Sequence, residues 1–309
     1  FDLIGEALTH HEQVILFLNR RGYANFLSCK TCGWVPRCPH CDVSLTYHKK
    51  SGRLVCHYCG TSFEVPDKCP QCDESTFTDV GIGTEKVEAQ LHRDFPNATT
   101  IRMDIDTAHT RTAYEQIISD FSHHRYDILV GTQMVTKGLD FDNVSVVGVL
   151  DADTMLNIPD FRSHERTYQV LAQVAGRAGR KNNKGKVVIQ TRSANAETIS
   201  YVVNNDFETM FRTQMEERQM FHYPPYFRLI NIYLRHHDAA RVELLANDMA
   251  SMMRRTFGDR LLGPDRPAVS RVHSMYIRKL MLKIEKTASV DKVRNILFDI
   301  QSRLMQQPS

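Results

Sequence analysis

No run of about 18 consecutive apolar residues, the length a helix needs to cross a bilayer, occurs in the 309-residue chain. The chain begins Phe1-Asp2-Leu3, with neither an initiator Met nor the basic flank and cleavage site of a secretion signal. These absences predict a soluble, cytoplasmic protein without membrane contact, its N-terminus cut from a longer chain. Net charge is small as well: 39 Lys and Arg against 36 Asp and Glu leave +3. So small an excess announces no nucleic-acid partner, and any basic surface has to be local. Cysteine is missing everywhere outside positions 29–72. A phosphate-binding G-x-x-x-x-G-K-[ST] loop is missing too. The nearest string, Gly179 to Val187, has one residue too many and Val where the Mg²⁺-binding hydroxyl belongs. Asp73-Glu74-Ser75-Thr76 follows a cysteine rather than a buried strand, which excludes it as an acidic Mg²⁺-binding box.

What is present is an ordinary globular balance, 42% hydrophobic and 24% charged, in a chain long enough for two domains and a small insert. All eight cysteines form CxxC pairs: Cys29/Cys32, Cys38/Cys41, Cys56/Cys59 and Cys69/Cys72. A tight CxxC turn aims two thiolates at one ion, as tetrahedral Zn²⁺ requires, and a reducing compartment favours metal over disulfides. Four pairs supply two Cys₄ sites. Fourteen residues separate Cys41 from Cys56 and read as a hairpin, Ser44 to Tyr47 and Arg53 to Val55. Closing it favours a nested arrangement: Cys38, Cys41, Cys56 and Cys59 hold one ion, while Cys29, Cys32, Cys69 and Cys72 hold the other. Sequential pairing is the rival, and iron–sulfur ligation the rival to zinc. Trp34, Tyr47, His48, Lys49, Lys50 and Arg53 are candidates either to contact DNA or a partner or simply to cover the module.

Along the chain, Gln13–Asn19 reads as a buried strand and Glu85–Phe95 as an amphipathic helix stopped by Pro96. Strands over Thr100–Met103, Asp127–Val130 and Val144–Leu150, with a helix over Thr112–Phe121 between them, predict an α/β parallel sheet with flanking helices. Ala196–Met220 reads as helical until Tyr223-Pro224-Pro225-Tyr226 breaks it. Beyond lies an α+β pattern: a strand Arg228–Leu234, a helix Ala239–Phe257, one long or bent strand or a hairpin over Ser270–Glu285, and a helix Ser289–Met305.

In Gln173-Val174-Ala175-Gly176-Arg177-Ala178-Gly179-Arg180, the residues Gln173, Arg177 and Arg180 stand at i, i+4 and i+7, one face of a helix. Two guanidiniums there suit a γ-phosphate, whose spreading charge an arginine finger stabilises during transfer. The rival reading is a solvated basic helix end running into Lys181, Lys184 and Lys186. Upstream, the strand ending at Val130 runs into Gly131-Thr132-Gln133-Met134-Val135-Thr136-Lys137-Gly138-Leu139-Asp140-Phe141. A Gly-rich turn at a strand's C-terminal end presents backbone N–H groups and the Thr132 hydroxyl to a phosphate.

QxxGRxGR resembles motif VI of the superfamily 2 helicases, and the 131–141 segment resembles their motif V. Arg20 and Arg21 resemble the motif IV region, and Gly83-Thr84-Glu85 a further motif of the second motor lobe. A second lobe interrupted after Phe17-Leu18-Asn19-Arg20-Arg21-Gly22-Tyr23 by eight cysteines resembles the bacterial primosomal replication-restart helicases. The resemblance implies a RecA-like helicase lobe 2 in two segments, 1–27 and 75–220, a two-zinc insert over 28–74, and a C-terminal α+β domain over 221–309. It implies ATP contacts at Gly138, Asp140, Gln173, Arg177 and Arg180, with the two arginines catalytic, and DNA contacts at Arg20, Arg21, Thr132 and Gln133. Implied cofactors are two Zn²⁺ and ATP with Mg²⁺. Implied partners are branched and single-stranded DNA, single-strand-binding protein and primosome proteins, met by a monomer. Asp151 and Asp153 are expected to support the interface between lobes, and Arg271, His273, Arg278 and Lys279 to face DNA or solvent. With lobe 1 and its P-loop absent, residues 1–309 alone should hydrolyse no ATP. The alternative is a zinc-stapled scaffold that binds DNA or protein with no motor, a role that leaves motifs V and VI without a purpose.

Overall fold

The computed structural model describes residues 1–19, 26–48, 51–80, 83–104, 107–132, 141–178 and 185–306. In chain order its elements are α1 (Asp2–Thr9), β1 (Gln13–Leu18), β2 (Phe26–Cys29), β3 (Thr46–His48), β4 (Arg53–Val55), β5 (Ser62–Glu64) and β6 (Phe77–Val80). Then follow α2 (Thr84–Asp94), β7 (Thr100–Met103), α3 (Arg111–Ser122), β8 (Ile128–Gly131), β9 (Val144–Leu150), α4 (Asp153–Leu156), α5 (Ser163–Ala175) and β10 (Lys186–Ile189). The remainder is α6 (Glu197–Val203), α7 (Phe207–Met220), β11 (Phe227–His236), α8 (Ala239–Phe257), β12 (Leu261–Asp265), β13 (Arg271–Val272), β14 (Met275–Glu285) and α9 (Val290–Met305). The chain divides into two compact units, Phe1–Ala24 with Gly81–Gln214, and Asn25–Val80 with Met215–Ser309.

The first unit is a parallel sheet in the order β10-β9-β1-β8-β7. A parallel sheet is covered on both faces, so its central strand is apolar throughout, and all six residues of β1 are buried. The period of two sorts them to opposite sides. Ile15 and Phe17 join Leu129, Val147, Val149, Phe121 of α3 and Leu171 of α5. Val14, Leu16 and Leu18 join Ile128, Val130, Val146, Ile4 and Ala7 of α1, and Leu91 of α2. Each large side chain buried this way contributes about 1.5–3 kcal/mol. Gln13, buried at the head of β1, spends its Nε2 on the carbonyls of Phe121 and Tyr126, each at 2.8 Å. Asp153, at the start of α4, accepts from Arg192 N–H at 2.8 Å and Thr191 Oγ1 at 3.0 Å. It therefore ties its own unit together, fastening the chain beyond β10 to α4.

The second unit holds a three-stranded antiparallel sheet β3-β4-β5, the pair β2-β6, and the sheet β11-β14-β12 with β13 hydrogen-bonded to β14. On β14 the positions Arg278, Leu280, Leu282 and Ile284 alternate onto one face and are all buried. Leu280, Leu282 and Ile284 pack against Met249, Ala250, Met253 and Phe257 of α8 and against Val293 and Ile300 of α9. Asp238 caps α8 by accepting from Ala240 and Arg241 N–H, and Ser289 caps α9.

Two expectations change, for 196–220 and Arg278, and two open alternatives, for Lys186 and Ser270–Glu285, are decided. The stretch 196–220 is two helices, parted where Asn205 takes φ 51° and hands Asp206 the cap of α7. Lys186 does not continue a basic helix end: it opens β10 and pairs with Glu6 at 2.8 Å. Ser270–Glu285 is a hairpin, turned by His273 and Ser274. Arg278 does not face DNA or solvent, because its side chain is 5% exposed and its Nε donates to Glu243 Oε2 of α8 at 2.6 Å.

Candidate functional sites

The thiols gather into two nested sets, Cys29, Cys32, Cys69 and Cys72, and Cys38, Cys41, Cys56 and Cys59, with the sulfurs of each set within 4.8 Å of one another. The hairpin β3–β4 brings the inner pairs together, and β2 pairing with β6 closes the outer ones. Three separations are diagnostic: Cys29 to Cys72 at 3.5 Å, Cys32 to Cys69 at 3.6 Å and Cys38 to Cys59 at 3.7 Å. A tetrahedral ion with Zn–S bonds of about 2.3 Å spaces its sulfurs about 3.8 Å apart, whereas a disulfide draws them to about 2.05 Å. The donor sets and their spacing suit two zinc ions. Four sulfurs would complete each tetrahedron and leave no position for substrate, the donor set of a structural zinc site.

One thiol in each set is already biased towards the thiolate that metal binding requires. The Cys32 N–H, followed by that of Thr31, brings Cys29 down to about 6. The Thr61 hydroxyl, 3.2 Å away, and then its N–H bring Cys59 to about 6. Burial pushes Cys38 up to about 12. The inner set is the drier: Cys38, Cys41 and Cys56 are buried with Leu27, Leu45 and Leu54.

Most side chains considered for the module's surface have structural partners. Trp34 packs on Phe77 with ring centroids 6.3 Å apart, and Tyr47 packs against the inner cluster. His48 lies with its Nε2 3.2 Å from that of His57, and Arg53 is held by Ser62 and Glu64. Lys49 and Lys50 fall outside the described residues.

Of the residues expected at the nucleotide and DNA, Arg20, Arg21, Gln133, Gly138, Asp140 and Arg180 also lie outside the described residues. Thr132 directly follows β8, is buried, and gives its N–H to the Met103 carbonyl at 3.2 Å rather than leaving it for a phosphate. Gln173 is exposed near the end of α5. That helix stops at Ala175, so Arg177 stands in the following turn, its N–H bonded to Val174 O at 3.0 Å. The single helical face expected for Gln173, Arg177 and Arg180 therefore ends before Arg177. Gly176 exposes backbone at that point, and the ladder tightens from i−4 to i−3. β1 and β8 are neighbours with Phe17 opposite Gly131, so the chain leaves both at the same, C-terminal, edge of the sheet. Ligands of open α/β sheets bind at that edge.

Comparison with known proteins agrees with both halves of this picture. Residues 38–62 match the model of the PriA DNA helicase Cys-rich region, and residues 83–182 match that of the helicase conserved C-terminal domain. The chain is 40% identical to the replication restart protein PriA of Bacillus subtilis over 304 residues, 98% of this chain and 38% of the relative. Against the PriA of Synechocystis it is 38% identical over 91% of its length and 34% of the relative's. Against that of Chlamydia trachomatis it is 42% identical over 74% and 30%. It thus spans roughly a third of the curated relatives' length. The parallel sheet of the first unit is a RecA-like helicase lobe 2. With the cysteine region standing in the sequence between the two segments of that unit and the likeness to one group of proteins running along nearly the whole sequence, the chain belongs to the PriA family of replication restart proteins.

Proposed function

We propose that the chain is the second motor lobe, zinc module and C-terminal domain of an ATP-dependent DNA helicase that restarts replication at stalled or branched forks. The observation that carries this reading is the interruption of a helicase lobe by the cysteine region, in a sequence 40% identical to a replication restart protein along 98% of its length. On this reading lobe 2 comprises 1–27 and 75–220, the insert 28–74, and the appended domain 221–309. ATP with Mg²⁺ binds between this lobe and one carrying the P-loop. Gly138, Asp140 and Gln173 meet the nucleotide, and Arg177 and Arg180 stabilise charge on the γ-phosphate in transfer. Arg20, Arg21, Thr132 and Gln133 track the DNA strand, whose register advances as the lobes close and open. The two zinc ions keep the insert folded. The working protein is a monomer in the cytoplasm and meets branched and single-stranded DNA, single-strand-binding protein and other primosome proteins.

Residues 1–309 alone lack the phosphate-binding half of the ATP site. Purified by themselves, they are expected to fold, carry about two zinc ions and bind DNA weakly, with ATP turnover at the buffer background with or without DNA. DNA-stimulated hydrolysis by this polypeptide would refute the division of the ATP site proposed here.

A further inference from the structure

Three of the four CxxC turns are closed from within. After Cys32, Gly33 takes φ 75° and donates its N–H to Cys29 O at 2.9 Å. After Cys59, Gly60 at φ 75° donates its N–H to Cys56 O at 2.8 Å. After Cys72, Asp73 at φ 61° donates its N–H to Cys69 O at 2.9 Å. The Cys38/Cys41 turn departs from this scheme. Asp42 is not left-handed; its N–H goes to Arg271 O at 2.8 Å, and the sulfur of Cys41 accepts from the N–H of His273 at 3.4 Å.

Both substitute groups come from the β13–β14 hairpin, in the same compact unit as the cysteine module. Ser274 N–H adds a bond to His40 O at 2.7 Å, Ser270 Oγ donates to Asp42 Oδ2 at 2.8 Å, and Val272 packs into the apolar cluster around the inner cysteines. The turn itself is built against local preference. His273 and Ser274 sit at φ 50° and 62°, where two-residue hairpins favour Asn-Gly. A left-handed conformation in residues with side chains persists where the surroundings hold it, and here both N–H groups of the turn are held by the cysteine turn.

We propose that the Ser270–Ser274 hairpin is a working part of the inner metal site, supplying from a distant part of the sequence the backbone contacts that the other three turns make within themselves. Zinc retention by Cys38, Cys41, Cys56 and Cys59 and the seating of the C-terminal sheet are then linked: each stabilises the other, and loss of one loosens the other. The inference rests on zinc filling the inner set, which metal content of about two ions per chain checks separately.

The test is site-resolved cysteine alkylation of the 309-residue chain in the presence of a chelator, mapped by mass spectrometry. His273→Pro removes the N–H donor, and Val272→Asp lifts the hairpin from the apolar cluster while leaving every N–H in place. Both are expected to speed modification of Cys38, Cys41, Cys56 and Cys59 about tenfold and leave Cys29, Cys32, Cys69 and Cys72 at the wild-type rate. A paired His273→Gly and Ser274→Gly control keeps the N–H groups and should react no faster than wild type. Conversely, Cys56→Ser is expected to raise amide hydrogen exchange over 270–277, and Cys69→Ser to leave it unchanged. The proposal fails if both hairpin variants leave the inner thiols at the wild-type rate, if the two sets accelerate together in both, or if Cys56→Ser leaves exchange at the hairpin untouched.

Discussion

The backbone N–H of His273 lies 3.4 Å from the sulfur of Cys41, a hydrogen bond between residues 232 positions apart. It joins the C-terminal sheet to a module inserted near the start of the chain, so the two are built as one body although the sequence separates them with a helicase lobe. In the fold, the insert is an extension of the C-terminal layer as much as an interruption of the lobe.

The nested pairing predicts the pattern left by a single lost thiolate. Cys38→Ser should lower the zinc content from about two ions per chain to about one. Cys41, Cys56 and Cys59 should become open to alkylation, with Cys29, Cys32, Cys69 and Cys72 still protected. If Cys29 and Cys32 open with Cys41 while Cys56 and Cys59 stay shielded, the pairing is sequential.

Gly263 takes φ 94°, and a Cβ there would lie 2.7 Å from the Lys279 carbonyl oxygen of the neighbouring strand. Since that obstacle is backbone held in the β12–β14 ladder, relaxation is costly. Gly263→Ala is expected to destabilise the second unit by about 2–4 kcal/mol, read as a lower denaturation midpoint. A midpoint equal to wild type would contradict the geometry.

Arg278 and Glu243 test the value of an ion pair whose cation is buried and whose carboxylate is half-exposed. Glu243→Ala leaves a guanidinium buried at 5% exposure with its carboxylate partner removed. The expected loss is about 2 kcal/mol in equilibrium unfolding. Glu115→Ala breaks the exposed i,i+4 pair with Arg111 and should leave the midpoint where it is. Equal effects from the two changes would remove the distinction.

Asp153 supplies a pH signature. The Arg192 N–H, and after it the Thr191 hydroxyl, hold its carboxyl below the usual carboxylate range. A depressed folded-state value means that its stabilisation is complete above the unfolded pKa of about 3.9 and fades as pH falls through the folded value. Asp153→Ala should therefore cost stability by a constant amount between about pH 5 and 8, with the gap to wild type closing below about pH 4. A gap that widens on acidification would reverse the sign.

How much of this was legible beforehand depended on chain-local signals. β7, β9 and α8 have the bounds their patterns predict, because apolar runs and helical spacing are strong there. β12 was hidden, since Gly263-Pro264 reads as a turn, and β2 and β6 are four-residue strands too short to show alternation. Arg278 was misread from its charge, although its alternation with Leu280, Leu282 and Ile284 placed it on the buried face. The zinc sets were legible because CxxC spacing is itself the chemistry. The His273 contact was not, because a donor to sulfur supplied by backbone leaves no mark in side-chain identity.

The proposal that this lobe supplies the arginine half of an ATP site is tested most directly by Arg180→Ala in a chain that joins residues 1–309 to a P-loop lobe. DNA-stimulated ATP hydrolysis should fall at least a hundredfold, with DNA affinity and zinc content unchanged. Turnover near the wild-type rate would contradict the assignment.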